Sequence, residues 1–461
     1  MPSLIARRSV ATGTLGAVAA GSRTAAGIGL AALLEGGNAF DAVVAACLAE
    51  TVALPSKCGL AGDVVALYVR AGDEAPTSMI SLGGAAAGLY EAAAAQGWKV
   101  PATGGLSVGV PGAPAGYDRL AEIGRLGRKR LTAPAQALAE RGMVWSPMSV
   151  LLAQEARGLL GEYQPGGVVY APASGPLAAG SVLPLPGMAK LLAEYSDKGQ
   201  ELFAERVGES VVRRVAEAGG VLTLGDLAPV KVDEAPAYGV ETACGRLWAT
   251  NAPTYGRALS EVFAKRHPAE VSPELVREVL ARQARGELVP TGEGTSTVAA
   301  VDLEGNAVVV VHSNSFPQFG SGLVVEEYDL VLSNRAGRGF AFEPGHPNAP
   351  MPGRRPLTTL HAWGTQHADG WLLGATPGGE QQVPWNAGLL SELLPTARTE
   401  GDLGEALARA RWQLSPSGEI RREGVEIAEY GARSSHVMVR TAPDRATAAA
   451  DPRWDGEAIA V

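Results

Sequence analysis

The chain has 461 residues, 46% hydrophobic and 19% charged, enough to bury a large core as one big domain or two closely packed ones. Its formal net charge of -9 opposes nucleic-acid binding, which draws on clustered Lys and Arg, and no uninterrupted apolar stretch reaches the roughly 18 residues needed to span a bilayer. Three cysteines at unrelated spacings (Cys47, Cys58, Cys244) and six histidines without an HxxxH pair point to a reduced compartment, with no disulfide framework, metal or cofactor.

In chain order, "ARRSVATGTLGAVAA" at 6–20 places twin arginines before small apolar residues, a superficial export pattern. Thr12, Gly13, Thr14 and Gly16 interrupt it, and the text runs on into a helix, so a cytoplasmic protein is the expectation. Ser22 can cap a helix whose apolar positions Ile28, Leu30, Leu33 and Leu34 end at Gly36 and Gly37. A second helix runs from Ala39 to about Ala53 and stops before Pro55. Residues 63–72 and 77–84 read as strands joined by a polar turn. From about 90 to 245, Ala- and Leu-rich helices alternate with Pro- and Gly-rich connections, as expected of a helical layer over a sheet. The basic run "GRLGRKR" at 124–130 reads as a solvated loop or helix end. "TVAAVD" and "NAVVVVHSNS" flank "LEG" as a hairpin, with Gly305 where positive φ is needed. Further β-like stretches at 322–332 and 371–375 complete a pattern of sheets sandwiched between helices in a single α/β unit.

The start of that hairpin carries chemistry. "GTSTVAAVD" at 294–302 sets Thr295, Ser296 and Thr297 after a glycine and before a buried run. If the chain is cut before such a residue, one side chain owns both a nucleophilic hydroxyl and a free α-amine. With an unperturbed pKa of about 7.7–8.0, that amine can act as general base. Edge-satisfying hydroxyls at a strand start are the plainer alternative.

The wider sequence favours the first reading. "EGGNAFDAVVAACLAETVALPSKCGLAGD" (35–63), "TGGLSVGVPGAPAGYDRL" (103–120), "GGVLTLGDLAP" (219–229), "APTYGRAL" (252–259), the 294–322 segment, "PGRRPLTTL" (352–360) and "TPGGE" (376–380) occur in the order of similar segments in the γ-glutamyltransferase family, which the chain resembles over most of its length. The resemblance implies a four-layer αββα N-terminal-nucleophile hydrolase, made as one precursor that cleaves itself between Gly294 and Thr295. Residues 1–294 and 295–461 would be its large and small fragments, which stay associated. Thr295 matches the family's nucleophile, Ser313 its second hydroxyl, and Gly378 and Gly379 its oxyanion hole, where glycine lets backbone N–H groups approach closely. Asn314 and Ser315 fall in its substrate-contacting stretch, and Thr358 and Thr359 stand where the family has two carboxylate-contacting serines.

Two departures bear on the substrate. The family's carboxylate-binding arginine is missing from "ISLGGAAAG" at 80–88, and its ammonium-binding stretch is replaced by "LSNRAGRGF" at 332–340, with Arg335 and Arg338 near the acceptor positions. Guanidiniums repel an ammonium and grip a carboxylate, unless one of them pairs with an internal acid. The resemblance so amended implies a hydrolase or acyltransferase of secondary metabolism acting on an anionic, non-glutamyl small molecule. The other readings are a C–C bond hydrolase of an alkylproline-type antibiotic pathway, a true γ-glutamyl enzyme, and an uncleaved binding protein.

Overall fold

A computed structural model describes residues 9–284, 294–396, 399–415, 417–428 and 435–461. Fourteen strands build two antiparallel sheets: β1 (Val10–Gly13), β2 (Gly16–Ala20), β3 (Asp63–Val69), β4 (Thr77–Ser81), β5 (Asp233–Pro236), β6 (Tyr238–Thr242), β7 (Gly245–Ala249), β8 (Thr295–Asp302), β9 (Ala307–Ser313), β10 (Ala362–His367), β11 (Gly370–Ala375), β12 (Val437–Ala442), β13 (Arg445–Ala450) and β14 (Glu457–Ala460). One sheet runs β14-β2-β8-β9-β3-β4-β5, the other β1-β13-β12-β11-β10-β7-β6.

Period-two alternation in the central strands sorts their side chains between two cores. Val298, Ala300, Val308 and Val310 point into a core shared with helices α1 (Arg23–Leu34), α2 (Ala39–Ala53), α3 (Ala113–Ile123), α4 (Arg128–Arg141) and α5 (Pro186–Lys198). Ala299, Val301, Val309 and Val311 point the other way, against Leu373, Val437 and Val439 of the second sheet. That sheet's outer face packs on helices α6 (Gly256–Phe263), α7 (Pro273–Ala284), α9 (Gln382–Thr396) and α10 (Glu400–Ala408); α8 is the single turn Arg335–Gly339. Three cores separate four layers, helix, sheet, sheet, helix, as the sequence reading expected.

Several elements sharpen that reading. The second helix begins and ends where expected, and Asn38 closes its N-terminus with a capping box to Asp41. Ser22 does stand at the N-cap of α1, but its hydroxyl makes no cap hydrogen bond. The residues before it do not run on as helix: Val10–Gly13 and Gly16–Ala20 are strands, with Ala17 and Ala19 between the sheets and Val18 and Ala20 on the helix side. Arg7 and Arg8 lie outside the described residues. The 322–332 stretch is a two-stranded hairpin of Val324–Val325 with Leu330–Val331. The basic run is a solvated helix start, with Arg125 on Glu304 at 2.5 Å and Arg130 on Glu35 at 2.7 Å. Among the described residues, no helix is long and apolar enough to cross a membrane.

Candidate active site

Strand register brings the first candidates together. Thr295 opens β8 directly opposite Ser313, the last residue of β9, so both side chains project from the same face, between the sheets. Their hydroxyl oxygens are 3.0 Å apart, and Ser313 Oγ donates to the Gly294 carbonyl at 2.6 Å. With its proton so directed, Ser313 Oγ accepts from Thr295 Oγ1 and from the Ser315 N–H at 2.8 Å. All these groups are buried. Gly294 fits because a Cβ there would sit 1.8 Å from the Ser315 carbonyl oxygen. Ser315 holds φ at +69°, a conformation costly for a non-glycine residue, and this lays its backbone against both Gly294 and Ser313.

Asn314 is fully buried; its Nδ2 donates to the Pro55 carbonyl at 3.3 Å and its N–H to the Lys57 carbonyl at 2.8 Å. Gly59 and Gly62 leave room for its side chain; a Cβ on Gly62 would come within 2.9 Å of Asn314 Oδ1. This residue anchors the 55–62 turn beneath the site.

The arginines divide. Asp63 begins β3 opposite Ser313, and its carboxylate accepts from Arg335 Nε at 2.6 Å. Both partners are buried, and burial raises the Asp63 pKa against the pull of Arg335. Of the alternatives the sequence left open for these arginines, pairing with an internal acid holds for one edge of Arg335; its Nη2 is buried without a hydrogen-bond partner. Arg338 lies over the Phe316 ring, 4.9 Å from its centroid, in the field of Glu380. Burial lowers the Arg338 pKa, partly countered by Glu380, and pushes the Glu380 carboxyl up to about 7 despite Arg338.

Gly378 and Gly379 leave the end of β11 with φ of +131° and +54°, and a Cβ on Gly378 would lie 2.3 Å from the Trp385 ring. Gln382, with its amide nitrogen turned toward them, donates to the carbonyls of Thr376 and Thr359, each at 3.2 Å, and so ties this loop to the 352–360 segment. Thr358 is buried, and its hydroxyl accepts from the Leu360 N–H at 3.2 Å, a backbone-turning role. Thr359 is half-buried; its carbonyl also bonds His361 Nδ1 at 2.8 Å.

Sequence reasoning missed three groups. Asp63 and Glu380 stood at the ends of quoted motifs without an assigned role. The third is a network on the opposite face of β9: His312 bonds Glu50 Oε2 and the Tyr117 hydroxyl, both at 2.7 Å. Glu50, Cys58 and His312 bring potential metal-ligand atoms within 4.8 Å of one another, a juxtaposition that spacing alone could not reveal. Both histidine nitrogens are already engaged by Tyr117 and Glu50.

The sequence model described as gamma-glutamyltranspeptidase matches residues 25–264 and 249–461. Curated relatives include the oxamate amidohydrolase proenzyme of Klebsiella pneumoniae, 28% identical over 445 residues, covering 84% of this chain and 82% of that protein. The glutathione hydrolase proenzyme of Escherichia coli is 24% identical over 445 residues, covering 80% and 76%. The crystal structure of a cephalosporin acylase from Bacillus halodurans superimposes with a TM-score of 0.82 at 24% identity, covering 100% of this chain and 98% of that one, a likeness of fold. The chain is an enzyme of the hydrolase and acyltransferase kind, and it belongs to the gamma-glutamyltranspeptidase family.

Proposed function

We propose that this chain is a self-processing threonine hydrolase or acyltransferase whose nucleophile is Thr295 and whose substrate is a small, non-glutamyl acyl compound bearing a carboxylate. The observation that carries the reading is the hydrogen-bond chain from Thr295 Oγ1 through Ser313 Oγ to the Gly294 carbonyl. Along it, Thr295 Oγ1 attacks the Gly294 carbon and passes its proton to Ser313, which protonates the carbonyl oxygen. Collapse breaks the C–N bond, leaving an ester on Thr295 and a free α-amine, and water hydrolyses the ester. The freed amine then serves as base when Thr295 attacks the substrate. The N–H groups of Gly378 and Gly379 receive the developing oxyanion, each worth roughly 3–4 kcal/mol in the transition state.

Arg338 supports an anionic substrate and disfavours the α-ammonium of a γ-glutamyl group. The relative named for oxamate, an amide carrying its carboxylate on the acyl carbon, fits the same chemistry. The cleaved fragments would remain together because strands of one pair with strands of the other in both sheets.

Mass spectrometry of the purified protein tests this proposal. Fragments of 294 and 167 residues are expected, the smaller starting Thr-Ser-Thr, with Thr295→Ala leaving one intact chain. The processed enzyme should release ammonia from oxamate or a longer carboxylate-bearing amide and leave γ-glutamyl anilides untouched. Brisk turnover of a γ-glutamyl anilide would overturn the assignment of the pocket.

A further inference from the structure

Glu380 directly follows the glycine pair. The carboxyl is half-buried, and its Oε1 is sealed from solvent without a hydrogen-bond partner. Among the described residues, Glu380 lies in the electrostatic field of Arg338 from α8 and itself acts on the Tyr255 phenol from the turn before α6, whose pKa is raised by burial and then by Glu380. Arg335, held by Asp63, adds to the positive field at Arg338.

A substrate carboxylate brought to Arg338 therefore enters the field of a second carboxylate. Two such groups beside one half-buried guanidinium cannot both stay ionised without a large cost, so one of them takes a proton. Glu380 is the protein's candidate because its carboxyl is fixed there whether or not the pocket is filled. We propose that Glu380 sets specificity in this pocket by taking up one proton from solvent when an anionic substrate binds at Arg338. The proposal rests on the anionic-substrate reading above.

The sign follows from linkage. Bound anion raises the Glu380 pKa above its free value, so affinity is greatest at low pH. It falls as pH rises through the free value, about 7, toward the bound one. Only substrates whose charge is compensated in this way are held, while neutral acyl amides gain nothing from the proton.

Calorimetry on the processed wild type checks this, with oxalate and glutarate as probes of short and long acyl span that the enzyme cannot turn over. Titrations between pH 5 and 9, in buffers of different ionisation enthalpy, read affinity and proton uptake together. We expect uptake of up to one proton above neutrality and a Kd that weakens by up to about tenfold per pH unit, the limit for one linked proton. Glu380→Gln, which mimics the protonated carboxyl, should bind with pH-independent affinity and no uptake, and Glu380→Asp should restore the pH dependence with a moved midpoint. Binding without uptake in the wild type, or equal uptake in Glu380→Gln, would overturn the role of Glu380 alone. If neither anion binds at any pH, the anionic-substrate reading falls and this inference falls with it.

Discussion

Ser313 meets three partners through one oxygen: the Thr295 hydroxyl, the Gly294 carbonyl and the Ser315 N–H. Its removal takes away both the acceptor of the Thr295 proton and the donor to the carbonyl. Ser313→Ala should slow maturation and turnover by about 10- to 100-fold, as the loss of one or two hydrogen bonds of about 1–1.5 kcal/mol each predicts, with the fold intact by circular dichroism. Arg335 presents a different case, because its partner is another protein residue. Arg335→Met should cost about 3–5 kcal/mol in denaturant unfolding, since Asp63 would be left buried and uncompensated. A companion Asp63→Leu change should return most of that loss. The facing of Thr295 and Ser313 was legible because both lie at the open end of one hairpin whose whole segment resembles the family's; the local text alone allowed a plain strand start. The ion pair was not legible, because Asp63 and Arg335 lie 272 residues apart and meet only where α8 folds against the start of β3.

The hairpin of β8 and β9 was the most readable element: its apolar run, turn and Gly305, with φ of +100°, all agree. The helix Ala39–Ala53 was equally plain, although it is buried all round and has no polar face to mark it. The strands β1 and β2 escaped notice because alanine and glycine supply little β propensity; pairing with β13, β8 and β14 makes them strands. Such tertiary overrides are invisible to periodicity. The 294–295 junction is where element geometry meets chemistry. Gly294→Ala would push a methyl group into the Ser315 carbonyl and move the adjacent carbonyl off Ser313 Oγ. We expect its processing, followed by gel densitometry, to be at least tenfold slower than wild type, while Gly305→Asn, at the far end of the hairpin, should mature at close to the normal rate.

Across the whole molecule, two buried histidines should make the fold acid-sensitive. His361 sits between the Thr359 carbonyl and Asn386, and His436 lies near Arg411 and Arg453; burial first, and for His436 also Arg411, lowers each pKa to about 4. Because the folded values lie below the unfolded value of about 6.5, the stability they represent is present in full above that pH. It is lost as pH falls toward 4, on the order of 3 kcal/mol for each residue. Urea midpoints should therefore drop steeply between pH 6.5 and 4, and His436→Gln should flatten part of that slope.

The strand order also decides what kind of equilibrium unfolding is. Segments on either side of residue 294 pair five times across the two sheets: β1 with β13, β7 with β10, β14 with β2, β2 with β8, and β9 with β3. The intact precursor is one covalent molecule, so its melting temperature should not depend on its concentration. Once the 294–295 bond is cut, the same contacts join two molecules, and unfolding releases two particles where there was one. The melting temperature of the processed enzyme should then rise with protein concentration, while that of Thr295→Ala stays constant. Breaking a single peptide bond would thereby turn a folding equilibrium into a binding equilibrium, with dilution as a new way to take the enzyme apart.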